Sequence, residues 1–123
     1  LDYHGDREHY AAAKAQLFDL PGLSLRVLNL DDALGRELAE RHAAETVIGY
    51  SRRGNGQARV RLLDSSMDQQ GLRIRVDCDG EQLEIGSGLV GGFNIENLLS
   101  CIAILRGLEL SPGEIASALQ QLQ

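Results

Sequence analysis

Three stretches between residues 58 and 85 place an apolar side chain at every second position. Ala58, Val60 and Leu62 alternate with Arg59 and Arg61; Leu72, Ile74, Val76 and Cys78 alternate with Arg73, Arg75 and Asp77; Leu83 and Ile85 continue the pattern. A period of two with one polar face is the pattern of strands half exposed to water, paired antiparallel. Asp79-Gly80, between the second and third stretches, has the chemistry of a two-residue hairpin turn. A three-stranded antiparallel meander is therefore expected in the middle of the chain.

The flanking sequence has a different periodicity. Residues 6–18 read as a helix, with Tyr10, Ala13, Leu17 and Phe18 at helical spacing and Pro21-Gly22 ending it. Leu25 to Leu30 is a short aliphatic run, the form of a strand buried on both faces. A helix over 32–42 follows, capped by Asn29 or Asp31, with Leu34, Leu38 and Ala39 inward. Residues 46–50 read as another short strand, and Arg52 to Gly56 as a turn. In the last third, Asn94 is placed to cap a helix carrying Ile95, Leu98, Leu99, Ile102 and Leu105, which Gly107 closes. Ser111-Pro112-Gly113-Glu114 has the form of a capping box before a helix with Ile115, Leu119 and Leu122 inward. The fold class is α/β: short parallel strands with helices, then the meander.

Composition narrows the function classes. Twelve Lys and Arg against eighteen Asp and Glu give a net charge of -6, which argues against nucleic-acid binding. No apolar run approaches the roughly 20 residues that span a bilayer, so no membrane segment is expected. Cys78 and Cys101 match neither a metal spacing nor a disulfide framework, and a reducing, cytoplasmic setting fits them. The chain reads as cut at both ends: Leu1 is not an initiator methionine, helical pattern begins almost at once, and Gln123 falls at or near the end of a helix.

Gly86-Ser87-Gly88-Leu89-Val90-Gly91 matches GxGxxG literally. A dinucleotide site needs that motif inside a parallel βαβ unit, with the helix starting within it. Here the strand before it belongs to the hairpin and the helix cap comes only at Asn94, so a crossover from meander to helix is the better reading. It is not a phosphate loop either, because no Gly-Lys-Ser/Thr follows. Asp31 and Asp32 have the look of paired catalytic carboxylates, but capping at a strand-to-helix junction explains them better. Cys101 reads as packed in the core, and Arg52 and Arg53 as solvated loop residues.

Three stretches, in order, carry a family resemblance. Leu1-Asp2-Tyr3-His4-Gly5-Asp6, followed by Tyr10 to Lys14 and Leu17-Phe18, resembles the segment after the Asp-His motif of the Mur ligases, in the form found in the MurE type. Leu28-Asn29-Leu30-Asp31-Asp32-Ala33-Leu34-Gly35-Arg36 is similar to that family's N-x-D-D-x-x-G-R stretch. Gly91-Gly92-Phe93-Asn94-Ile95-Glu96-Asn97-Leu98-Leu99 is similar to its G-x-F-N-x-x-N-x-L.

The resemblance implies a three-domain ligase, with residues 1–123 the C-terminal half of its Rossmann-like central, ATP-binding domain, truncated at both ends. Such an enzyme uses ATP and Mg²⁺ to phosphorylate the D-glutamate carboxylate of UDP-N-acetylmuramoyl-L-alanyl-D-glutamate. The amine of meso-diaminopimelate or L-lysine then attacks the acyl phosphate, giving an amide. Lys14 matches the family's carbamylated lysine, whose carbamate offers Mg²⁺ the oxygen ligands that a hard cation prefers. Asn94 and Asn97 match an asparagine pair on the adenine side of ATP, where an amide can both donate and accept. His4 lies in the signature near the active site, and His9 and His42 rank below it. The phosphate loop, an acidic metal ligand and the Asp-His histidine are expected before Leu1, and the residues that close over ATP and select the amino acid after Gln123. The piece alone is therefore expected to be inactive, and to self-associate through exposed sheet edge and apolar surface. Competing readings are a folylpolyglutamate synthase or cyanophycin synthetase type of ligase, and a free-standing α/β binding module.

Overall fold

The structure, a computed structural model, describes residues 3–69, 71–87 and 95–120. Helix α1 (Tyr3–Phe18) precedes β1 (Arg26–Asn29), α2 (Ala33–Arg41) and β2 (Val47–Ser51). The meander is β3 (Val60–Asp68), β4 (Gly71–Cys78) and β5 (Glu81–Ser87), and α3 (Ile95–Gly107) and α4 (Pro112–Gln120) close the chain. All five strands form one mixed sheet in the order β1-β2-β3-β4-β5. The α/β class and the meander are as the sequence indicated. The sequence reading did not join them.

The join is a short parallel pairing of β2 with β3, at Tyr50↔Val60 and Ser51↔Arg61. Parallel neighbours usually need a long crossover. Here the last residues of β2 lie beside the first of β3, so residues 52–59 backtrack very little. Gly54, at φ 85, allows the sharp turn. The β4–β5 hairpin turns on Asp79 and Gly80, with φ of 49 and 92. Two positive φ angles are what a type I′ turn requires.

The apolar faces divide the molecule into layers. The alternate residues Val60, Ile74, Val76, Cys78, Leu83 and Ile85 meet Ile95, Leu98, Leu99, Ile102 and Ile115 in one core under α3 and α4. Leu28, Leu30 and Leu38 are buried but lie outside that cluster, on the side of the sheet that α2 covers. At Gly35 an added Cβ would overlap the Asn29 carbonyl oxygen, so only glycine lets α2 settle this closely on the end of β1.

Helix α1 is held differently. Ala13 and Leu17 are exposed, despite their helical spacing with Phe18. The anchor is Arg26, 1% exposed. Its Nε donates to the Phe18 carbonyl at 2.6 Å, its Nη2 to the Leu20 carbonyl at 2.9 Å, and its Nη1 to Glu45 at 3.1 Å. The guanidinium thus satisfies carbonyls that the end of α1 would leave without donors.

Of the two caps in the last third, one forms as expected and one differs in detail. The capping box forms as read, the Ser111 N–H donating to Glu114 Oε1 at 2.9 Å and the Glu114 N–H to Ser111 Oγ at 3.2 Å. Gly107 ends α3, but the left-handed residue is Glu109, at φ 72. The Leu110 N–H then reaches the Leu105 carbonyl and the Glu109 N–H that of Arg106, a Schellman closure. Gly107 is small for another reason: a Cβ there would lie 2.5 Å from Leu25 Cδ2. Leu122 and residues 88–94, with most of the glycine-rich match and the capping role of Asn94, lie outside the described residues.

Candidate functional site

Open α/β sheets bind ligands beyond the carboxyl ends of their parallel strands. In this chain that edge is formed by Asn29 and the 30–32 turn after β1, Tyr50 and Ser51 ending β2, and the first turn of α3. Lys14, half-buried, projects from α1 into a cavity of about 150 Å³ there, which Phe18, Asn29, Asp32, Leu38 and Tyr50 also line. A larger cleft, about 570 Å³, lies between α2 and the 57–59 segment, lined by Leu30, Arg36, Glu40, Gly49, Gln57 and Arg59. Neither Lys14 nor Asn97, the described site residues read from the sequence, lines it, so the smaller cavity is the one of interest.

Asn29 and Asp31 do not cap α2. The N-cap is Asp32, and its side chain makes no capping bond. Asn29 Oδ1 instead accepts the Asp31 N–H at 2.9 Å, bending the chain at the end of β1. Asp31 binds the end of β2: its Oδ1 accepts the Ser51 hydroxyl at 2.6 Å and its Oδ2 the Arg52 N–H at 2.8 Å. Ser51, fully buried, accepts the Asn55 N–H at 3.0 Å. Arg52 is not a merely solvated residue, since its Nη1 lies 3.1 and 3.2 Å from the two carboxylate oxygens of Glu96 in α3. Burial, with Asp32, Glu96 and Asp31 nearby, raises the Tyr50 pKa above 10.0, so its hydroxyl is a donor at neutral pH.

Lys14 therefore shares the strand-end cavity with Asp32, whereas Asn97 is exposed one turn into α3. His4 falls in α1, but its side chain lies outside the described residues, and Asn94 lies outside them altogether. Among the described residues no group of three or more His, Cys, Asp or Glu side chains could hold a metal ion. The cavity's own donors do not fit Mg²⁺, because an unmodified Lys14 ammonium repels it; a carbamate at that position would reverse the charge and supply oxygens.

Sequence reasoning missed His42, at the opposite end of β1. Its two ring nitrogens lie 2.5 Å from Asp19 and 2.5 Å from Glu45. Arg41 also pairs with Asp19, beside the buried Arg26. Only an alternation of charge near residues 19, 26 and 41–45 could have signalled this cluster, since its members are far apart in the chain. Cys101, read as core, is only half-buried; Cys78 is the buried one, and burial lifts its thiol to about 11.

A family model described as the Mur ligase middle domain matches residues 1–105. The UDP-N-acetylmuramoyl-L-alanyl-D-glutamate–2,6-diaminopimelate ligase of Xanthomonas oryzae pv. oryzae is 42% identical over 124 residues, covering 100% of this chain and 25% of that protein. The ligase of the same name from Pseudomonas aeruginosa is 43% identical over the same shares. A solved structure of a ligase with that name superposes with a TM-score of 0.80 at 26% identity, over 100% of this chain and 26% of its own. MurF from Acinetobacter baumannii superposes with a TM-score of 0.75 at 16% identity, over 94% of this chain and 24% of its own, a likeness of fold alone. The chain spans about a quarter of the length of the curated relatives it matches.

Proposed function

Because the chain belongs to the Mur ligase family, matching its middle domain, we propose that it is the later half of the ATP-binding domain of a peptidoglycan-building ligase. The reaction would join 2,6-diaminopimelate to UDP-N-acetylmuramoyl-L-alanyl-D-glutamate in the cytoplasm, with an acyl phosphate on the D-glutamate side chain as intermediate. Support for this substrate pair comes from relatives above 40% identity across the whole chain that carry that name. L-lysine is the alternative amine.

Lys14 is the residue of this chain assigned to the chemistry, and its place in the strand-end cavity is the single observation that carries the assignment. When bound as Mg²⁺-ATP, the nucleotide supplies the phosphoryl group and the metal spreads the charge that develops during its transfer. The long stem of Lys14 brings its terminal group to the ends of the strands, where a carbamate would be one oxygen donor among several contributed from elsewhere in the protein. Asp32 and Asn29 give the cavity a polar side, and Leu38 and Val27 an aliphatic one. Asn97 and Asn94 are assigned to the adenine side, and His4 to the margin of the site.

The experiment is amide formation by the full-length protein containing this chain, supplied with the UDP-dipeptide, diaminopimelate, ATP and Mg²⁺. Lys14→Arg keeps a cation that cannot carry a carbamate, and should lower kcat by about 100-fold or more. A Lys14→Arg enzyme with unchanged kcat would sink the assignment. The 123 residues contain no Gly-x-x-x-x-Gly-Lys-Ser/Thr loop, and by themselves should form no amide in this assay.

A further inference from the structure

The end of β2 presents a problem in hydrogen bonding. Its sheet pairing stops at Ser51, so the N–H groups of Arg52 and Arg53 have no strand partner. Asp31, twenty residues earlier, supplies one. Its Oδ2 accepts the Arg52 N–H at 2.8 Å and the Arg53 N–H at 3.4 Å, while Oδ1 holds the Ser51 hydroxyl at 2.6 Å. A carboxylate accepting several donors fixes their directions, and charge assistance strengthens each bond.

Fixing the Arg52 backbone sets where its side chain can go. It crosses the strand ends to α3, where Nη1 meets both oxygens of Glu96. Glu96 precedes Asn97, in the first turn of α3. A continuous run of contacts thus joins the turn after β1, the end of β2 and the start of α3. Arg52 and Glu96 are 48% and 40% exposed, and an exposed ion pair contributes little to folding. Its placement matters more than its strength, because it ties the end of β2 to the start of α3.

We propose that Asp31, Arg52 and Glu96 are positioning residues, a relay that sets the first turn of α3, and Asn97 with it, against the strand ends towards which Lys14 projects from α1. The inference rests on the reading that Asn97 faces the nucleotide. In this proposal the three act through Asn97, by fixing where the first turn of α3 stands against the ends of β1 and β2.

The test uses the full-length protein, with Arg52→Met, Arg52→Lys and Glu96→Gln. Loss of the relay should raise KM for ATP about fivefold in Arg52→Met and Glu96→Gln. The kcat and the KM for the UDP-dipeptide and the diamino acid should stay within about twofold, as should ATP KM in the Arg52→Lys rescue. The double variant should be no worse than either single one. An unchanged ATP KM in Arg52→Met, or an equal rise in all three KM values, overturns the proposal. If the wild-type protein forms no amide, the functional reading fails, and the relay is judged on hydrogen exchange alone. Asp31→Asn should then speed exchange of the Arg52 and Arg53 amides and of the first turn of α3, and unchanged exchange at these sites overturns the relay as well.

Discussion

His42 stands between Asp19, just past the end of α1, and Glu45, just before β2, and touches both carboxylates. The bond from Asp19 first, then that from Glu45, raises its pKa above the ordinary 6.5. The same contacts hold Asp19 below 3.8 and Glu45 below 4.5. A histidine with a raised folded pKa adds stability that is complete below its unfolded pKa and is lost as pH rises through the folded value. The two carboxylates work the other way, adding stability present above their unfolded pKa and lost as pH falls through the folded ones. The cluster is therefore strongest between 4.5 and 6.5. The urea midpoint should fall between about pH 6 and about pH 8, and His42→Gln should flatten that slope. An equal slope in the variant would assign the pH dependence to other groups. Apart from the charges near residues 19, 26 and 41–45, the sequence does not separate His42 from a surface histidine, because Asp19 lies 23 residues before it.

At the scale of elements, periodicity, short apolar runs and turn residues located the helices and strands among the described residues, although β3 continues to Asp68, past the alternation that ends at Leu62, and the capping box marked the start of α4. Helix α2 shows where local logic stops. Asn29 and Asp31 have the right chemistry to cap it, yet Asn29 accepts the Asp31 N–H within its own turn, and Asp31 is taken up by donors that the end of β2 leaves to satisfy. In an isolated helix, alanine would be favoured over glycine at position 35 by about 1 kcal/mol. In the fold it is a contact point, because any Cβ would overlap the Asn29 carbonyl. Gly35→Ala should thus destabilise by about 1–3 kcal/mol net, as overpacking does, measured by urea unfolding. A neutral or stabilised variant would show that α2 can move away from β1 at no cost.

For the whole molecule, coverage of the sheet is uneven. Strand β1 pairs with β2 on one side, and among the described strands it has no neighbour on the other. Near it Leu17 is 59% exposed, Leu20 48% and Leu23 36%. A bare strand edge beside apolar side chains is a template for association. The 123-residue chain should therefore dimerise reversibly at high concentration, read by light scattering, and Leu17→Lys with Leu20→Lys should shift it to monomer. A clean monomer for the unaltered chain across the concentration range would refute this. No helix among the described residues is long and apolar enough to cross a membrane, so these leucines are not part of a helical span.

The meander of alternating residues was legible because strand periodicity is a property of neighbours in the chain: the side of the sheet a residue faces follows from its parity alone. The hairpin at Asp79-Gly80, the helices and the box at Ser111 were legible for the same reason, and the three motifs, around Lys14, Asp31 and Asn97, together carried the family. Tertiary structure alone decided that the meander continues the parallel strands as one sheet, through two residue pairs between β2 and β3. It also decided that Arg26 is buried to hold α1, and that Asp31 serves the end of β2 instead of α2. These choices depend on which backbone groups are left without partners once the strands have paired, and that is settled between residues 6 to 21 positions apart that belong to different elements, beyond the reach of helix or strand periodicity.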